Sequence, residues 1–303
     1  MKLELKNICK AFGKKSVLDN ISLNVEGGKA FGILGRNGAG KTTTIRILMN
    51  VFAQDKGEIL VDGMPIDYDK ISIGYLPEER GLYPKKKIID QLVYLSVLKG
   101  MDKKTAVEAI DYWLDKLGMM EYRNQKLESL SKGNQQKIQL ITAIVHNPDI
   151  IILDEPFSGL DPVNAMLLKD VIKSKIAEGK IVLFSSHQMN YIEEFCDSIA
   201  IIKSGEIILS GDLAKIKKDY VRDKLVVRSE NNDAIIEAFS DRCTRINDDT
   251  LILKLDIPSD KKVVMKQLVD CFDVDEVRVF EPSLNDIFVE YAGDEKKAEI
   301  EGK

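Results

Sequence analysis

The sequence predicts an α/β fold built around a largely parallel sheet, followed by a smaller α+β domain. Up to about Gly211, short runs of branched aliphatic residues alternate with longer stretches in which apolar residues recur every three or four positions. A second, shorter series of strand and helix patterns follows. With 303 residues and 44% hydrophobic content, the chain is long enough to bury both cores.

Four runs are predicted as buried strands of the main sheet, because each is rich in branched aliphatic residues and too brief for a helix. They are residues 29–34, 149–153, 180–184 and 198–202. The last run continues into a hairpin that we expect to turn at Ser204–Gly205. The main domain is therefore expected over residues 1–215.

A helical insertion is predicted at about residues 85–146. Three segments there carry apolar residues at helical spacing, with no comparable strand between them. These segments are residues 88–98, 103–117 and 131–145.

The C-terminal part begins with a connector at residues 216–223, within a Lys- and Asp-rich helix predicted from Leu213. Alternating patterns then predict a split βαβ-like domain at residues 224–292. Its predicted strands are residues 224–228, 250–255 and 276–280, and its predicted helices are residues 234–239, 260–272 and 283–291. The charged tail, residues 293–303, is expected to be disordered.

Composition excludes several classes of protein. No charge-free stretch approaches the roughly 18 apolar residues of a membrane helix, and the first residues lack a signal-peptide core. We therefore expect the chain in the cytoplasm unless another chain holds it at a membrane. A net charge of −5 with interspersed signs argues against nucleic acid as a partner. The four cysteines are scattered, without the spacing of a zinc site or a disulfide framework.

A phosphate-binding loop is predicted at residues 35–42, which fit the pattern G-x-x-x-x-G-K-[ST] between a strand and a helix. Glycines let main-chain N–H groups converge on a phosphate, Lys41 reaches the outer phosphates, and the Thr42 hydroxyl binds Mg²⁺. The core is therefore predicted to be that of a P-loop NTPase. The predicted nucleotide-binding residues here are Gly35, Arg36, Asn37, Gly38, Ala39, Gly40, Lys41, Thr42 and Thr43.

Two adjacent carboxylates, Asp154 and Glu155, follow the aliphatic run at residues 150–153. Open α/β sheets bind ligands at the carboxyl ends of their strands, so we expect both near the phosphate loop. Asp154 is expected to hold Mg²⁺, and Glu155 to polarise the attacking water. Alone, the pattern also fits a strand running into an acidic turn, and only its pairing with the phosphate loop makes it specific.

The order of several further motifs resembles the nucleotide-binding subunits of ABC transporters, over residues 1 to about 215. Residues 130–135 resemble the signature loop of that family, and residues 158–161 its dimer-contact loop. Ser185-Ser186-His187 is similar to its switch-histidine motif, and Phe12 occupies the place of the aromatic residue that stacks on adenine. Ser131 also fits a plain helix N-cap, with no ligand required.

The resemblance implies roles for these residues. Ser131 and Gly133 would contact the ATP held by a partner subunit, and His187 would act in catalysis beside Glu155. The dimer contacts implied are Ser158, Gly159, Leu160 and Asp161. Two copies of the chain would thus close around two ATP·Mg²⁺ and drive a separate integral membrane permease.

A looser resemblance, carried by residues 77–84 and 281–288, is to bacterial exporter ATPases of the sodium-extrusion and drug-efflux group. It implies a bacterial protein, peripheral on the inner face of the cell membrane. The permease would dock between the insertion and the sheet, near residues 78–83. The C-terminal domain would support dimerisation or regulation, or be a packing appendage, and the sequence favours neither.

Three positions depart from the family pattern. Glu78 stands where Gln is usual, and as a carboxylate it is a third candidate ligand of Mg²⁺. Lys132 and Asn134 replace the usual Gly and Gln of the signature loop, and Lys132 is either a further charge toward the partner's ATP or simply exposed.

Two other functions compete with the transporter subunit. A soluble ABC-type ATPase acting on ribosomes or DNA would carry two cassettes or long heptad coiled coils, and this chain has neither. A regulatory ATP sensor with little turnover would lack the general base, but Glu155 is present.

Overall fold

The computed structural model describes residues 1–79, 81–186, 188–220 and 223–292. The predicted tail, residues 293–303, lies outside this part of the chain. The chain divides into two compact units: Met1–Leu213 with the stretch that starts at Phe288, and Ala214–Ile287.

The first unit contains most of the strands and the helical insertion. In chain order its elements are β1 Lys2–Phe12, β2 Lys15–Glu26, β3 Ala30–Leu34, α1 Lys41–Leu48, β4 Lys56–Val61, β5 Met64–Pro65, β6 Ile73–Leu76, α2 Ile88–Leu98, α3 Lys103–Lys116, α4 Lys132–Ile144, β7 Ile150–Asp154, α5 Pro162–Ala177, β8 Ile181–Ser185, α6 Met189–Phe195, β9 Ser198–Lys203 and β10 Glu206–Asp212.

The central sheet confirms the predicted parallel core. Its strand order is β10-β9-β3-β8-β7-β6, and all neighbours are parallel except the β9–β10 hairpin. Every residue of β3, β7 and β8 is buried, as continuous aliphatic runs predict for strands covered on both faces. The carboxyl ends of β3, β7 and β8 consequently meet at one edge of the sheet.

A second sheet, with order β2-β1-β4-β5, is antiparallel and was not predicted from the sequence. Leu3, Leu5 and Ile8 of β1 are buried. The register shifts between Leu5 and Ile8, so the strict alternation that identifies a half-buried strand is interrupted there. The apolar stretches of β1 and β4 are also short, and neither is identified as a strand without its partner, which lies far away in the sequence.

The helical insertion matches its prediction closely. Helix α2 has the predicted bounds, and α3 ends one residue before the predicted Leu117. Asp102 caps α3 by accepting hydrogen bonds from the N–H groups of Lys104 and Thr105. Helix α4 packs against β6 and α2, so it joins the insertion to the sheet.

Gly74 permits the close approach of β6 to α4. A Cβ at this position would lie 1.9 Å from the carbonyl oxygen of Ala143, which is main chain and cannot move aside. We therefore expect Gly74→Ala to lower the free energy of unfolding by about 3 kcal/mol, the cost of overpacking a rigid contact. Chemical denaturation measures this change. Gly81→Ala is the matched control, because its Cβ would meet only Pro77 Cγ at 3.8 Å. Equal stability of the two variants would contradict this account.

From Leu213 onward the elements are α7 Leu213–Asp219, β11 Lys224–Arg228, α8 Asn232–Phe239, β12 Cys243–Arg245, β13 Thr250–Lys254, α9 Lys261–Cys271, β14 Glu276–Val279 and α10 Leu284–Ala292.

The second unit is a split βαβ structure, as its sequence pattern predicted. Its antiparallel sheet has the order β12-β13-β11-β14, and residues of β11, β13, α8 and α9 share one buried cluster. The three-residue strand β12 was missed, because three residues are too few to show a period. The connector helix ends at Asp219, earlier than the predicted Asp223.

Among the described residues, no helix combines the length and apolar character needed to span a membrane. The four cysteines are free thiols. Burial raises the pKa of the Cys196 thiol.

Candidate active site

A six-residue loop, residues 35–40, connects the buried end of β3 to the start of α1. Gly38 and Gly40 adopt φ of 79° and 118°, the left-handed region that favours glycine. A Cβ at Gly40 would lie 2.6 Å from Leu18 Cδ2. No side chain caps the first turn of α1. The main-chain N–H groups at that helix end can therefore donate hydrogen bonds to an anion such as a phosphate.

Lys41, the first residue of α1, bends back over this loop. Its Nζ donates hydrogen bonds to the carbonyl oxygens of Gly35 at 2.6 Å and Arg36 at 3.3 Å. Burial lowers the pKa of the Lys41 ammonium, while the carboxylates of Glu155, Asp154 and Glu78 oppose that shift. The ammonium is thus held at the mouth of the loop, partly desolvated and facing negative charge.

Asp154 ends β7 and lies beside Ser185 of β8 in the sheet register. Burial raises the pKa of the Asp154 carboxyl, and the negative charges of Glu78 and Glu155 raise it further, whereas Lys41 lowers it. The Tyr75 hydroxyl donates to Asp154 Oδ2 at 3.5 Å. Burial, with Asp154 as the next cause, raises the pKa of Tyr75 to about 12, so this phenol stays protonated.

Glu155 follows in a left-handed backbone conformation, with φ of 50°. Its N–H donates to the carbonyl oxygen of Ser185 at 2.8 Å, and its own carbonyl accepts from the N–H of Ser158 at 3.1 Å. The Ser186 hydroxyl donates to Glu155 Oε2 at 2.8 Å. The residue is therefore buried, its main chain is fixed by two hydrogen bonds, and its carboxylate accepts a hydrogen bond from Ser186.

One cavity of about 440 Å³ brings nine of the predicted site residues together. It is lined by Lys15, Val17, Asn37, Gly38, Gly40, Lys41, Thr42, Thr43, Glu78, Asp154 and Glu155. The phosphate loop, a hydroxyl beside it and three carboxylates from two separate segments thus share one volume. This combination of loop, sheet edge and charge defines a P-loop nucleotide-binding fold.

Lys15 and Val17, at the start of β2, line this cavity but were not predicted as site residues. The available signal was the turn after Phe12 at Gly13, because a hairpin there returns the chain toward the phosphate loop. The phosphate-loop pattern spans residues 35–42 and therefore does not include that turn.

Phe12 is placed outside the wall of the cavity and is 49% exposed. Its ring meets Phe52 edge-on, with the centroids 5.4 Å apart, and Lys10 Nζ lies 5.6 Å from its centre. Lys10 is fixed in turn by a 2.7 Å ion pair with Asp55. These contacts fix the ring while about half of the residue stays exposed to solvent.

The predicted signature and dimer-contact loops lie together, and none of their predicted residues lines the cavity. Ser131 caps α4, accepting from the N–H of Asn134 at 3.3 Å, as its sequence context predicted. Asp161 caps α5 in the same way, accepting from the N–H of Asn164 at 3.0 Å. A Cβ on Gly133 would lie 3.2 Å from Asn164 Nδ2. Both loops therefore belong to one continuous surface.

A second, larger cleft of about 740 Å³ lies between the sheet and the helical insertion. Arg46, Met49 and Val51 line it from the region of α1, and Lys99, Thr142 and His146 from the insertion. Glu79 and Gly81 also line it, and Thr42, Glu78 and Asp154 line both this cleft and the first cavity. Burial, assisted by Lys99, lowers the pKa of His146 to about 4, so the imidazole is neutral at pH 7.

His187, predicted as a catalytic residue, lies outside the described residues. Among the residues that the structure does describe, no group of three or more His, Cys, Asp or Glu side chains could hold a metal ion by itself. Asp154 and Glu78 with the Thr42 hydroxyl form a smaller donor set of the kind that Mg²⁺ uses together with nucleotide phosphates.

Comparison with known proteins agrees with this fold and site. The profile of the ABC transporter family matches residues 18–158, and that of the DrrA1-3-like ATP-binding protein C-terminal domain matches residues 211–292. The uncharacterized ABC transporter ATP-binding protein YhaQ of Bacillus subtilis is 40% identical over 96% of this chain and 98% of its own length. The linearmycin resistance ATP-binding protein LnrL of the same organism is 32% identical over 96% of this chain and 98% of its own length.

Solved structures give the same result. An ATP-binding subunit of an ABC transporter superposes with a TM-score of 0.67 at 26% identity, covering 73% of this chain and 93% of that one. A dimeric bacterial ABC transporter cassette superposes with a TM-score of 0.62 at 25% identity, covering 70% of this chain and 98% of that one.

The chain belongs to the family of ABC transporter ATP-binding proteins, and it is a nucleotide-binding ATPase subunit of that family. The predicted fold class, family and ATPase activity are thereby confirmed. The roles of individual site residues stay predictions, and they carry the proposals that follow.

Proposed function

We propose that this chain hydrolyses ATP·Mg²⁺ as a pair of identical subunits and drives export through a separate membrane permease. The observation that carries the proposal is the single cavity in which Lys41, Thr42 and the carboxylates of Asp154 and Glu155 meet. That arrangement pairs a phosphate cradle with a candidate base.

The cavity suits a triphosphate and a magnesium ion. Its loop offers main-chain N–H groups and Lys41 to the phosphates, and Thr42, Asp154 and Glu78 are the residues that would hold the metal. Burial is the main cause of the raised pKa of Asp154, and the charges of Glu78 and Glu155 add to it, so a bound cation would favour the ionised carboxylate. Bound Mg²⁺ would neutralise charge on the β- and γ-phosphates.

Each residue of the site then has a separate proposed role in hydrolysis. Lys41 leaves the carbonyls of Gly35 and Arg36 and binds the outer phosphates. Glu155 accepts a hydrogen bond from the attacking water, orients its oxygen toward the γ-phosphorus, and takes up the proton that the water loses as it attacks. A bond forms between that oxygen and phosphorus, the bond to the β–γ bridging oxygen breaks, and ADP and phosphate result. The sequence motif assigns His187 a contact with the γ-phosphate and water.

A second copy of the chain is the proposed dimer partner. Ser131 and residues 158–161 reach the surface, Gly133 is buried beside Asn164, and none of them lines the cavity. We therefore assign their contact with ATP to the nucleotide held by the other subunit. A head-to-tail pair places that surface of each copy over the ATP of the other, and ATP favours closure because it contacts both copies. Phe12 is the proposed adenine platform.

The permease is proposed to dock in the 740 Å³ cleft, which holds the subunit at the inner face of the membrane. The cleft presents apolar Met49 and Val51 beside charged Arg46 and Lys99, a mixture typical of a polar-rimmed protein interface. Relatives whose names specify linearmycin resistance and lantibiotic transport favour an exporter.

Val51→Asp tests this docking site without touching the cavity. Val51 is 62% exposed, so the change should leave folding and basal hydrolysis unaltered. An unpaired carboxylate buried at the interface is expected to reduce recovery of the partner at least about tenfold. The measurement is gentle membrane purification of tagged protein from its source cells, with quantitative mass spectrometry of the integral proteins recovered.

Val263→Asp on α9 is the matched control, because Val263 is an equally exposed valine of the second unit. It should retain the integral protein that Val51→Asp loses. Equal recovery by both variants would contradict docking in the cleft, and recovery of ribosomal components or DNA would favour the competing function.

A further inference from the structure

Ser186 directly follows β8 and precedes the predicted catalytic histidine in the chain. It is 3% exposed, and its Oγ donates to Glu155 Oε2 at 2.8 Å. The same oxygen accepts a hydrogen bond from the main-chain N–H of Gln188 at 3.1 Å. One hydroxyl therefore joins the end of β7 to the residue that follows the histidine position.

The direction of this bond is fixed by the hydroxyl itself. A serine Oγ carries a single proton and can accept as well as donate. The Gln188 N–H already supplies a proton to the oxygen, and an ionised carboxylate can only accept. The serine proton is consequently aimed at Glu155, in a buried setting where a charged acceptor strengthens the bond.

Glu155 needs such support. Its φ of 50° is unfavourable for a residue with a Cβ, and the N–H bond to Ser185 stabilises the main chain but not the carboxylate. A glutamate side chain has three rotatable bonds, so one fixed donor at a carboxylate oxygen determines where the other oxygen points.

We infer that Ser186 is a positioning residue, which holds the Glu155 carboxylate in the arrangement that hydrolysis requires and ties it to the main chain at Gln188. The inference rests on the proposed role of Glu155 as the group that orients the attacking water. Ser186 contacts the carboxylate and Gln188, and it acts on the reaction only through them.

Ser186→Ala tests this in the purified full-length chain. Without the hydroxyl, Glu155 turns away from the water part of the time, and kcat is expected to fall about tenfold to a hundredfold. The KM for ATP and the affinity for ATP should stay within about twofold, because phosphate binding does not involve Ser186. Ser96→Ala is the control for loss of a buried hydroxyl: Ser96 Oγ donates to Leu92 O within α2, and its removal should leave kcat unchanged.

A double-mutant cycle separates positioning from general damage. Because Ser186 acts through Glu155, adding Ser186→Ala to Glu155→Gln should not reduce the residual hydrolysis further. Residual turnover is measured with ATP labelled at the γ-phosphate over long incubations. Full additivity, an unchanged kcat in Ser186→Ala, or a parallel loss of ATP affinity would each overturn the inference. Wild-type protein that neither binds nor hydrolyses ATP would overturn the proposed function as well, so the two failures are distinguishable.

Discussion

Lys41→Ala is expected to weaken ATP binding about a thousandfold. The ammonium is partly buried and faces Glu155, Asp154 and Glu78, whose negative charges favour a cation at this position. Removing the cation leaves the phosphates and the carboxylates uncompensated in a partly desolvated cavity. Breaking such a pair costs roughly 3–5 kcal/mol, which corresponds to a factor of about 10²–10⁴ in affinity.

Isothermal titration with ATP and Mg²⁺ measures this loss, and Lys104→Ala on the exposed start of α3 provides the control. The unfolding midpoint without nucleotide should also be compared, because Lys41 Nζ donates to two carbonyls of its own loop. Nanomolar or micromolar binding retained at the wild-type level would contradict the assignment of the loop as the phosphate site.

The central sheet could be predicted because its physical signal is local. A strand covered on both faces must be apolar at every position. Residues 150–153 and 181–184 are therefore predicted as strands from their own sequence, without knowledge of the strands they pair with. The loop at residues 35–40 is equally local, since a tight turn into a helix requires glycine at fixed positions. Because carboxyl ends of parallel strands share an edge, Asp154 could also be placed beside that loop in advance.

The remaining features depend on contacts between distant parts of the chain. Strand β1 is defined by pairing with β4 more than fifty residues later, and its bulge hides the alternation of its apolar residues. Lys15 joins the cavity only because a hairpin returns it there. The bond between Ser186 and Glu155 spans 31 positions and involves a serine that no motif distinguishes from its neighbour Ser185.

Glu155→Gln is expected to reduce hydrolysis by at least about a hundredfold while ATP binding is kept. Gln matches Glu in size, so the phosphate cradle and Lys41 are untouched, but a neutral amide is a far weaker acceptor for a proton of the attacking water. General-base catalysis typically contributes 10²–10⁴-fold, which sets the expected loss. Glu108→Gln on the exposed face of α3 should hydrolyse ATP at the wild-type rate.

The same variant should also change the oligomeric state. ATP favours the closed pair by contacting both copies, and hydrolysis is the exit from that state, so a chain that binds but does not cleave ATP accumulates as a dimer. Size-exclusion chromatography with light scattering should show a dimer with ATP·Mg²⁺ and a monomer with ADP. Adding Lys41→Ala should abolish this dimer, because the variant then lacks the ligand that joins the two surfaces. A dimer that forms without nucleotide, or that persists in the double variant, would mean that protein contacts alone hold the pair. Undiminished hydrolysis would instead remove Glu155 from its proposed role.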